Sequence, residues 1–329
     1  MDSVTIFDNA LEMMEADMRF DSRDMVKVAH YYYNIGLNQQ EIADKFSMSR
    51  QRVNRLLKKA LAEGVVEIRV RGYNNSNAML ESELESKLNL REALVVDSND
   101  LSTLSATSIR YLKGIVQEGW NIGVSHGTTI AKLCQAPAAK EKHDIRIVQL
   151  TGGMNTINIS SRPDEITIKF ARIFGGEPHV LFAPAIPDNP GLRKLIMEES
   201  QYKEIQKLYS NIQVSVVSVG ALTETNMLLQ VGSLNKADFD MLLGKNCVGD
   251  VLLRFIDIEG RIVDPQINER VMSIPVEDYM KIGLRVGVAY GAEKVRAITA
   301  AINGGFINVL ITDSDTAKLL VEARDSGLV

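Results

Sequence analysis

Three short loops carry the residues of this chain whose types and spacing could do chemistry. Ser125-His126-Gly127-Thr128-Thr129, Thr151-Gly152-Gly153 and Gly291-Ala292-Glu293-Lys294 each follow an apolar run and open a helical stretch. Glycine lets a ligand approach the backbone, and free amides at a helix start, helped by threonine hydroxyls, can hold a phosphate or another anion. Lys294 adds a mobile positive charge at the same rim, so the three loops together predict a site for an anionic small molecule. No loop matches the long Walker phosphate loop, and no GxGxxG follows the first strand of this region, which disfavours a nucleotide-dependent enzyme. Of the four histidines, His30, His126, His143 and His179, only His126 falls in a candidate loop, where pocket wall is the plainer role than catalyst. Cys134 and Cys247 lack metal-ligand spacing, so no metal, cofactor or disulfide framework is expected.

A second constellation lies upstream. The stretch QQEIADKFSMSRQRVNRLL, Gln39 to Leu57, fits the helix-turn-helix template, with Ile42, Phe46, Met48, Val53 and Leu56 at the apolar positions and Ala43 where two helices cross. Ser47 occupies the turn position where glycine is commoner. The exposed face of the second helix would carry Arg50, Gln51, Asn54 and Arg55 toward base edges, and Lys58 and Lys59 toward phosphates. Gln39 and Arg52 complete the expected set of contacts to double-stranded operator DNA.

The charge distribution agrees. The net charge of -5 is unusual for a DNA-binding chain, yet residues 23–71 hold ten basic and five acidic side chains, while residues 1–22 hold one basic and six acidic. The positive field is confined to the motif, as expected when one module meets phosphates and the rest of the chain does something else. The N-terminus has neither the basic start nor the unbroken apolar run of a signal peptide, and no stretch reaches membrane-spanning length, so a cytoplasmic protein is expected.

These residues require two domains to position them. Phe7, Leu11, Met14 and Met18 have the spacing of an amphipathic helix over residues 4–20. Residues 23–36 read as the first helix of the module, with Val26, Ala29 and Tyr33 inward and Gly36 as C-cap. Asn38 caps the next helix, and the recognition helix runs from about Ser49 to Glu63. VVEIRVR, residues 65–71, alternates like a strand and predicts a winged variant. GYNNSN, residues 72–77, has linker chemistry, placing a DNA-binding domain at 1–72 and a second domain at 73–329. Beyond the linker, helices (a leucine stripe at 80, 84 and 88, and residues 105–117) alternate with strands at 93–96, 121–125, 145–150, 179–183, 214–220, 284–290 and 307–312. That alternation predicts an α/β domain with a mainly parallel sheet covered on both faces, and a ligand crevice at the carboxyl ends of its strands.

With these motifs in place, the chain from about residue 23 resembles the SorC family of bacterial transcriptional regulators. The resemblance rests on the helix-turn-helix stretch, on GVSHGTT and VQLTGG, and most specifically on CVGDVLLRFIDIEG with VGVAYGAEKVRAITAAINGGFINVLITD. It implies a regulator of carbohydrate genes, a homotetramer built as a dimer of dimers, and assigns effector binding and oligomerisation to the domain at 73–329, which resembles the sugar-phosphate isomerase and glucosamine-phosphate deaminase fold but senses a phosphorylated sugar. It places the phosphate cradle on Gly127, Thr128 and Thr129, a sugar-facing acid on Asp250 and the basic partner on Lys294. His126 stands where the family frequently has tryptophan, and Thr151 where relatives carry lysine or arginine. Threonine cannot form a Schiff base, so noncovalent sensing is expected. The competing expectation is an isomerase or deaminase with an added DNA-binding module, for which Asp250 and His126 are the candidate bases.

Overall fold

The computed structural model describes residues 22–67, 76–97, 101–154 and 162–327. The chain divides into two units, Met1–Asn74 and Asn75–Val329. The expected helix over residues 4–20 lies outside the described residues.

In the first unit, helix α1 covers residues 22–33, α2 Gln39–Phe46 and α3 Arg50–Ala62. Asn38 caps α2 in a complete capping box: its side chain accepts the Glu41 amide at 3.0 Å while its own amide donates to Glu41 Oε2 at 2.7 Å. Ser49 caps α3 by accepting the Arg52 amide at 3.1 Å. Ser47 takes the left-handed turn conformation, with φ 52° and ψ 41°. Met25, Val28 and Ala29 of α1 pack on Ile42, Ala43, Val53, Leu56, Leu57 and Ala60, with Phe46 and Met48 at the margin. This corrects the expected face of α1, because Val26 and Tyr33 point outward. Each lies one residue, a turn of about 100°, off the stripe set by Met25, Val28, Ala29 and Tyr32. The expected wing strand falls on residues of which 68–71 lie outside the described set.

The second unit is built on β1 Glu92–Val96, β2 Asn121–Val124, β3 Arg146–Gln149, β4 Glu177–His179, β5 Ile212–Val217, β6 Gly220–Ala221, β7 Gly249–Val251, β8 Arg254–Ile256, β9 Leu284–Val288 and β10 Val309–Asp313. Seven of them form a sheet in the order β1-β10-β9-β5-β2-β3-β4, parallel in every pairing. Adjacent residues serve opposite faces: Val148 and Leu310 join one core, and Ile147 and Ile311 the other. Helices Ser76–Leu88, Ser200–Tyr209, Val295–Asn303 and Ser314–Asp325 cover the first face, and Leu101–Ile115 and Pro163–Phe174 the second. After β2 the chain steps outward to β3 and β4, then returns to place β5 on the opposite side of β2. The loops leaving β2 and β5 therefore part company, which opens a crevice between them at the carboxyl edge.

Two further expectations need correction. The strand placed at 179–183 is Glu177–His179, because Pro178 and the two glycines before it leave only an edge position for pairing. The linker ends sooner than 77, since Ser76 and Asn77 already belong to a helix. A small antiparallel sheet, β6-β7-β8, was not anticipated. Its β7-β8 turn consists of Leu252 and Leu253, both at positive φ (56° and 65°), a conformation normally left to glycine or asparagine. Both leucines are buried, and Asp250 Oδ2 accepts the Leu253 amide at 3.2 Å, so packing and a side-chain cap hold a turn that the sequence pattern does not announce.

Candidate functional site

The crevice between β2 and β5 holds a cavity of about 300 Å³, at the small end of the range for small-molecule sites. Ser125 to Thr129 after β2, Ser218 to Ala221 after β5, Asp250 and Leu252 of the small sheet, and Glu293 and Lys294 after β9 all reach it. The first loop is pinned from across the crevice: Ser125 Oγ accepts the Ser218 amide at 3.1 Å, and Ser218 Oγ donates to the His126 carbonyl at 2.9 Å. Gly127, at φ 124° and ψ 157°, begins helix Thr128–Leu133 without a side-chain cap, so the first-turn amides are left for an occupant of the cavity.

Lys294 is the one cation among the described residues that line the cavity. Burial pushes its ammonium below the ordinary lysine value, against the pull of Glu293 and Asp250. Its Nζ lies 5.8 Å from the centre of the Tyr290 ring, as does that of Lys132, which also donates to the Tyr290 hydroxyl at 3.1 Å. Burial raises the Asp250 carboxyl to about 6, opposed by the Leu253 amide and Lys294. An acid whose folded pKa is raised contributes stability that is fully present below its unfolded value and is lost as pH rises through the folded one. Asp250→Asn, which keeps an acceptor for Leu253, should therefore flatten the fall in stability of the effector-free protein between about pH 4 and 6. Urea midpoints across that window would show it, and an unchanged slope would mean that Asp250 does not titrate there.

Of the expected effector residues, Ser125, His126, Gly127, Thr128, Thr129, Asp250 and Lys294 come together around this cavity. Thr151, Gly152 and Gly153 do not line it. They follow β3, on the side of β2 away from the crevice, and their polar groups are committed elsewhere. The Gly152 amide donates to the Met272 carbonyl at 2.8 Å and the Gly153 amide to the Ala183 carbonyl at 2.7 Å. A Cβ on Gly152 would sit 2.7 Å from the Pro184 carbonyl oxygen, so this glycine serves close backbone packing. Thr151 is fully buried and meets His126, its Oγ1 lying 3.0 Å from Nδ1.

The structure adds Ser218, Thr223, Thr225, Asn226 and Gln230 to the wall. Sequence reasoning passed over them because hydroxyls and amides in a turn-rich stretch look like ordinary turn chemistry. Arg254 lies outside the cavity lining, a buried guanidinium that ties the fold together by donating to the Asn268 side chain, to the Asn268 carbonyl at 3.1 Å and to the Ile274 carbonyl at 3.3 Å. Burial pushes both cysteine thiols up to about 12, which makes them poor nucleophiles.

On the first unit, Val53, Leu56, Leu57 and Ala60 face the core, leaving Arg50, Gln51, Asn54, Arg55 and Lys58 exposed on the opposite side of α3. Arg50, Arg55 and Lys58 form no ion pair among the described residues. Arg52 Nη2 instead lies 3.2 Å from Asp24 Oδ2 of α1, and Lys59 Nζ 3.7 Å from Glu63 Oε1, so these two cations are partly engaged within the module. Gln39 is half-buried at the start of α2.

The Sugar-bind family of sugar-binding domains matches residues 74–322, and sigma-70 region 4, a helix-turn-helix, matches residues 27–63. The deoxyribonucleoside regulator of Bacillus subtilis is 32% identical over 305 residues, covering 90% of this chain and 96% of that protein. The chain belongs to the SorC family. The sorbitol operon regulator of Klebsiella pneumoniae is 29% identical over 92% of the chain and 98% of its own length. The crystal structure of that full-length SorC protein superposes with a TM-score of 0.73 over 91% of the chain and 98% of its own. This SorC-family chain is therefore a DNA-binding transcriptional regulator with a sugar-binding domain, in keeping with relatives that are themselves regulators. Among the described residues no helix is long and apolar enough to cross a membrane.

Proposed function

We propose that this regulator is cytoplasmic, that it controls carbohydrate genes, and that a phosphorylated sugar or polyol in the crevice cavity sets its affinity for operator DNA. The observation that carries the reading is the meeting, in one small cavity, of Lys294 and the uncapped Gly127-Thr128-Thr129 turn with a wall of hydroxyl and amide groups. The first two suit a phosphate and the wall suits sugar hydroxyls. Thermal-shift and calorimetric comparison of hexose and hexitol 6-phosphates with their unphosphorylated counterparts tests it, since a ligand stabilises in proportion to its occupancy. Equal affinity for both forms would leave a neutral-sugar pocket in place of this one.

On DNA, Arg50, Gln51, Asn54 and Arg55 read bases, while Gln39, Arg52, Lys58 and Lys59 stand nearest the backbone. Arg55→Ala should cost about 1–3 kcal/mol on the preferred operator, the worth of a bidentate base contact. Lys59→Ala should weaken all sequences alike and reduce the salt dependence. Fluorescence anisotropy on DNA selected from a random pool measures both, and an Arg55→Ala protein with wild-type affinity would displace the recognition face from this side of α3. One recognition helix buries too little surface for gene-specific affinity, so the active form is at least a dimer, and we place it as a tetramer made of two dimers. Sedimentation equilibrium should report four chains.

One observation favours a second reading. Asp250, with its carboxyl near 6 inside the cavity, has the acidity of a general base for an isomerase or deaminase. We hold the protein to be a sensor without catalytic activity, which returns its ligand unchanged. NMR of a sugar phosphate incubated with the protein would show new product signals only under the enzymatic reading.

A further inference from the structure

His126 lies between two groups of quite different exposure. It lines the cavity, with 7% of its surface accessible, while Thr151 behind it has none. Thr151 is itself held rigidly: its carbonyl accepts Gln149 Nε2 at 2.6 Å, and it bridges to Ser273 on the neighbouring segment. The His126 backbone is equally fixed, because its carbonyl accepts both the Ser125 and the Ser218 hydroxyls, at 3.1 and 2.9 Å. The ring is therefore clamped at Nδ1, and among the described residues nothing bonds Nε2, which is the nitrogen left for the cavity. No carboxylate stabilises an imidazolium here, and burial alone pushes the ring down to about 4, so it is neutral at physiological pH.

A threonine hydroxyl can donate or accept. When it donates to Nδ1, Nε2 carries the hydrogen and is a donor; when it accepts from Nδ1, Nε2 is bare and is an acceptor. Either tautomer keeps the Thr151 bond, so switching between them breaks no hydrogen bond within the protein. A carboxylate in place of Thr151 would fix one tautomer and charge the ring, and a lysine or arginine would put a cation in its place. The neutral pair offers a single hydrogen bond of adaptable direction, which matches an uncharged oxygen far better than a phosphate.

We propose that His126 Nε2 is a specificity-determining contact to one hydroxyl or carbonyl oxygen of the sugar, and that Thr151 is a positioning residue that holds the ring for it. The inference rests on the reading of the cavity as a sugar-phosphate site. It assigns Thr151 a role through His126 and none in direct contact with the effector.

The test uses the full-length protein and the tightest-binding member of the 6-phosphate panel, together with the series of its monodeoxy analogues. Wild type should bind one analogue about tenfold or more weakly than the parent, because losing the oxygen leaves Nε2 unpaired in a buried site. In His126→Phe that discrimination should vanish, the parent falling to the level of the analogue. Thr151→Val should lose most of it while Thr151→Ser retains it, and the imidazole ¹⁵N shifts of the effector-free protein should move in the valine variant only. If His126→Phe fails to fold, the threonine pair still decides the question. Wild type that discriminates against no analogue, or a Thr151→Val protein matching wild type in both discrimination and ¹⁵N shifts, overturns the proposal. Wild type that binds no member of the panel, nor any pentose 5-phosphate or sugar 1-phosphate added to it, overturns instead the sugar-phosphate reading beneath it.

Discussion

Gly127→Ala should abolish the effector response while leaving the operator affinity of the effector-free protein nearly unchanged. With φ 124° and ψ 157°, Gly127 sits in a region of backbone space that is essentially closed to residues with a side chain, at a cost of about 1–3 kcal/mol. A Cβ there would also lie 2.6 Å from Ser218 Oγ, the hydroxyl that ties the His126 carbonyl across the crevice. Relief requires the loop to swing away from β5, which disperses the Thr128 and Thr129 amides from the place where they converge. Strain and lost geometry together should weaken binding by about 100-fold or more, seen by calorimetry with the best 6-phosphate ligand. The residue belongs to the second unit, whereas the base-reading face lies in the first, so DNA binding without effector has no reason to change. A variant that binds within a few-fold of wild type would show that this turn does not hold the ligand.

Lys294→Met should have a comparable effect, restricted to phosphorylated ligands. Methionine keeps most of the length and apolar stem but removes the one cation among the described lining residues, leaving Asp250 and Glu293 to face an incoming dianion. Truncating one member of a desolvated charge pair costs about 2–5 kcal/mol, much of it the penalty of leaving the other charge unpaired. The phosphorylated ligand should therefore bind roughly 30-fold more weakly or worse, while an unphosphorylated sugar, weak to begin with, changes little. Asp250 would also lose the positive charge that now favours its ionised form, so its carboxyl should titrate still higher. If both classes of ligand weaken equally, Lys294 is shaping the pocket rather than neutralising a phosphate.

The sequence made some of this legible for local reasons. Asn38 caps its helix where the sequence places it, and the recognition helix starts at Ser49 as expected, because such start signals are contained within four residues. The runs at 93–96, 121–125, 145–150, 214–220, 284–290 and 307–312 are apolar because both faces of the sheet are covered, and each holds a strand. What stayed hidden depends on strand order. Ser125 to Thr129 and Thr151 to Gly153 look alike as loops, and only the placement of β5 beside β2, with β3 beyond it, puts the first in the crevice and the second behind it. Val26 and Tyr33 were misplaced because α1 is apolar enough to offer two neighbouring stripes, and packing on α2 and α3 chooses between them. The Leu252-Leu253 turn is invisible to turn chemistry because its conformation is imposed by burial rather than by residue preference.

The most direct test of the account is whether the cavity and the recognition helix communicate. DNA selected from a random pool by the effector-free protein would be titrated by fluorescence anisotropy with and without the best 6-phosphate ligand. An effector can shift the balance between DNA-binding arrangements only by its differential affinity for them, typically about 5- to 150-fold. Operator Kd should change within that range for wild type at about ten times its ligand Kd, and much less for Lys294→Met at the same concentration, where occupancy falls to about a quarter or below. An operator affinity indifferent to a ligand that demonstrably occupies the wild-type cavity would contradict it.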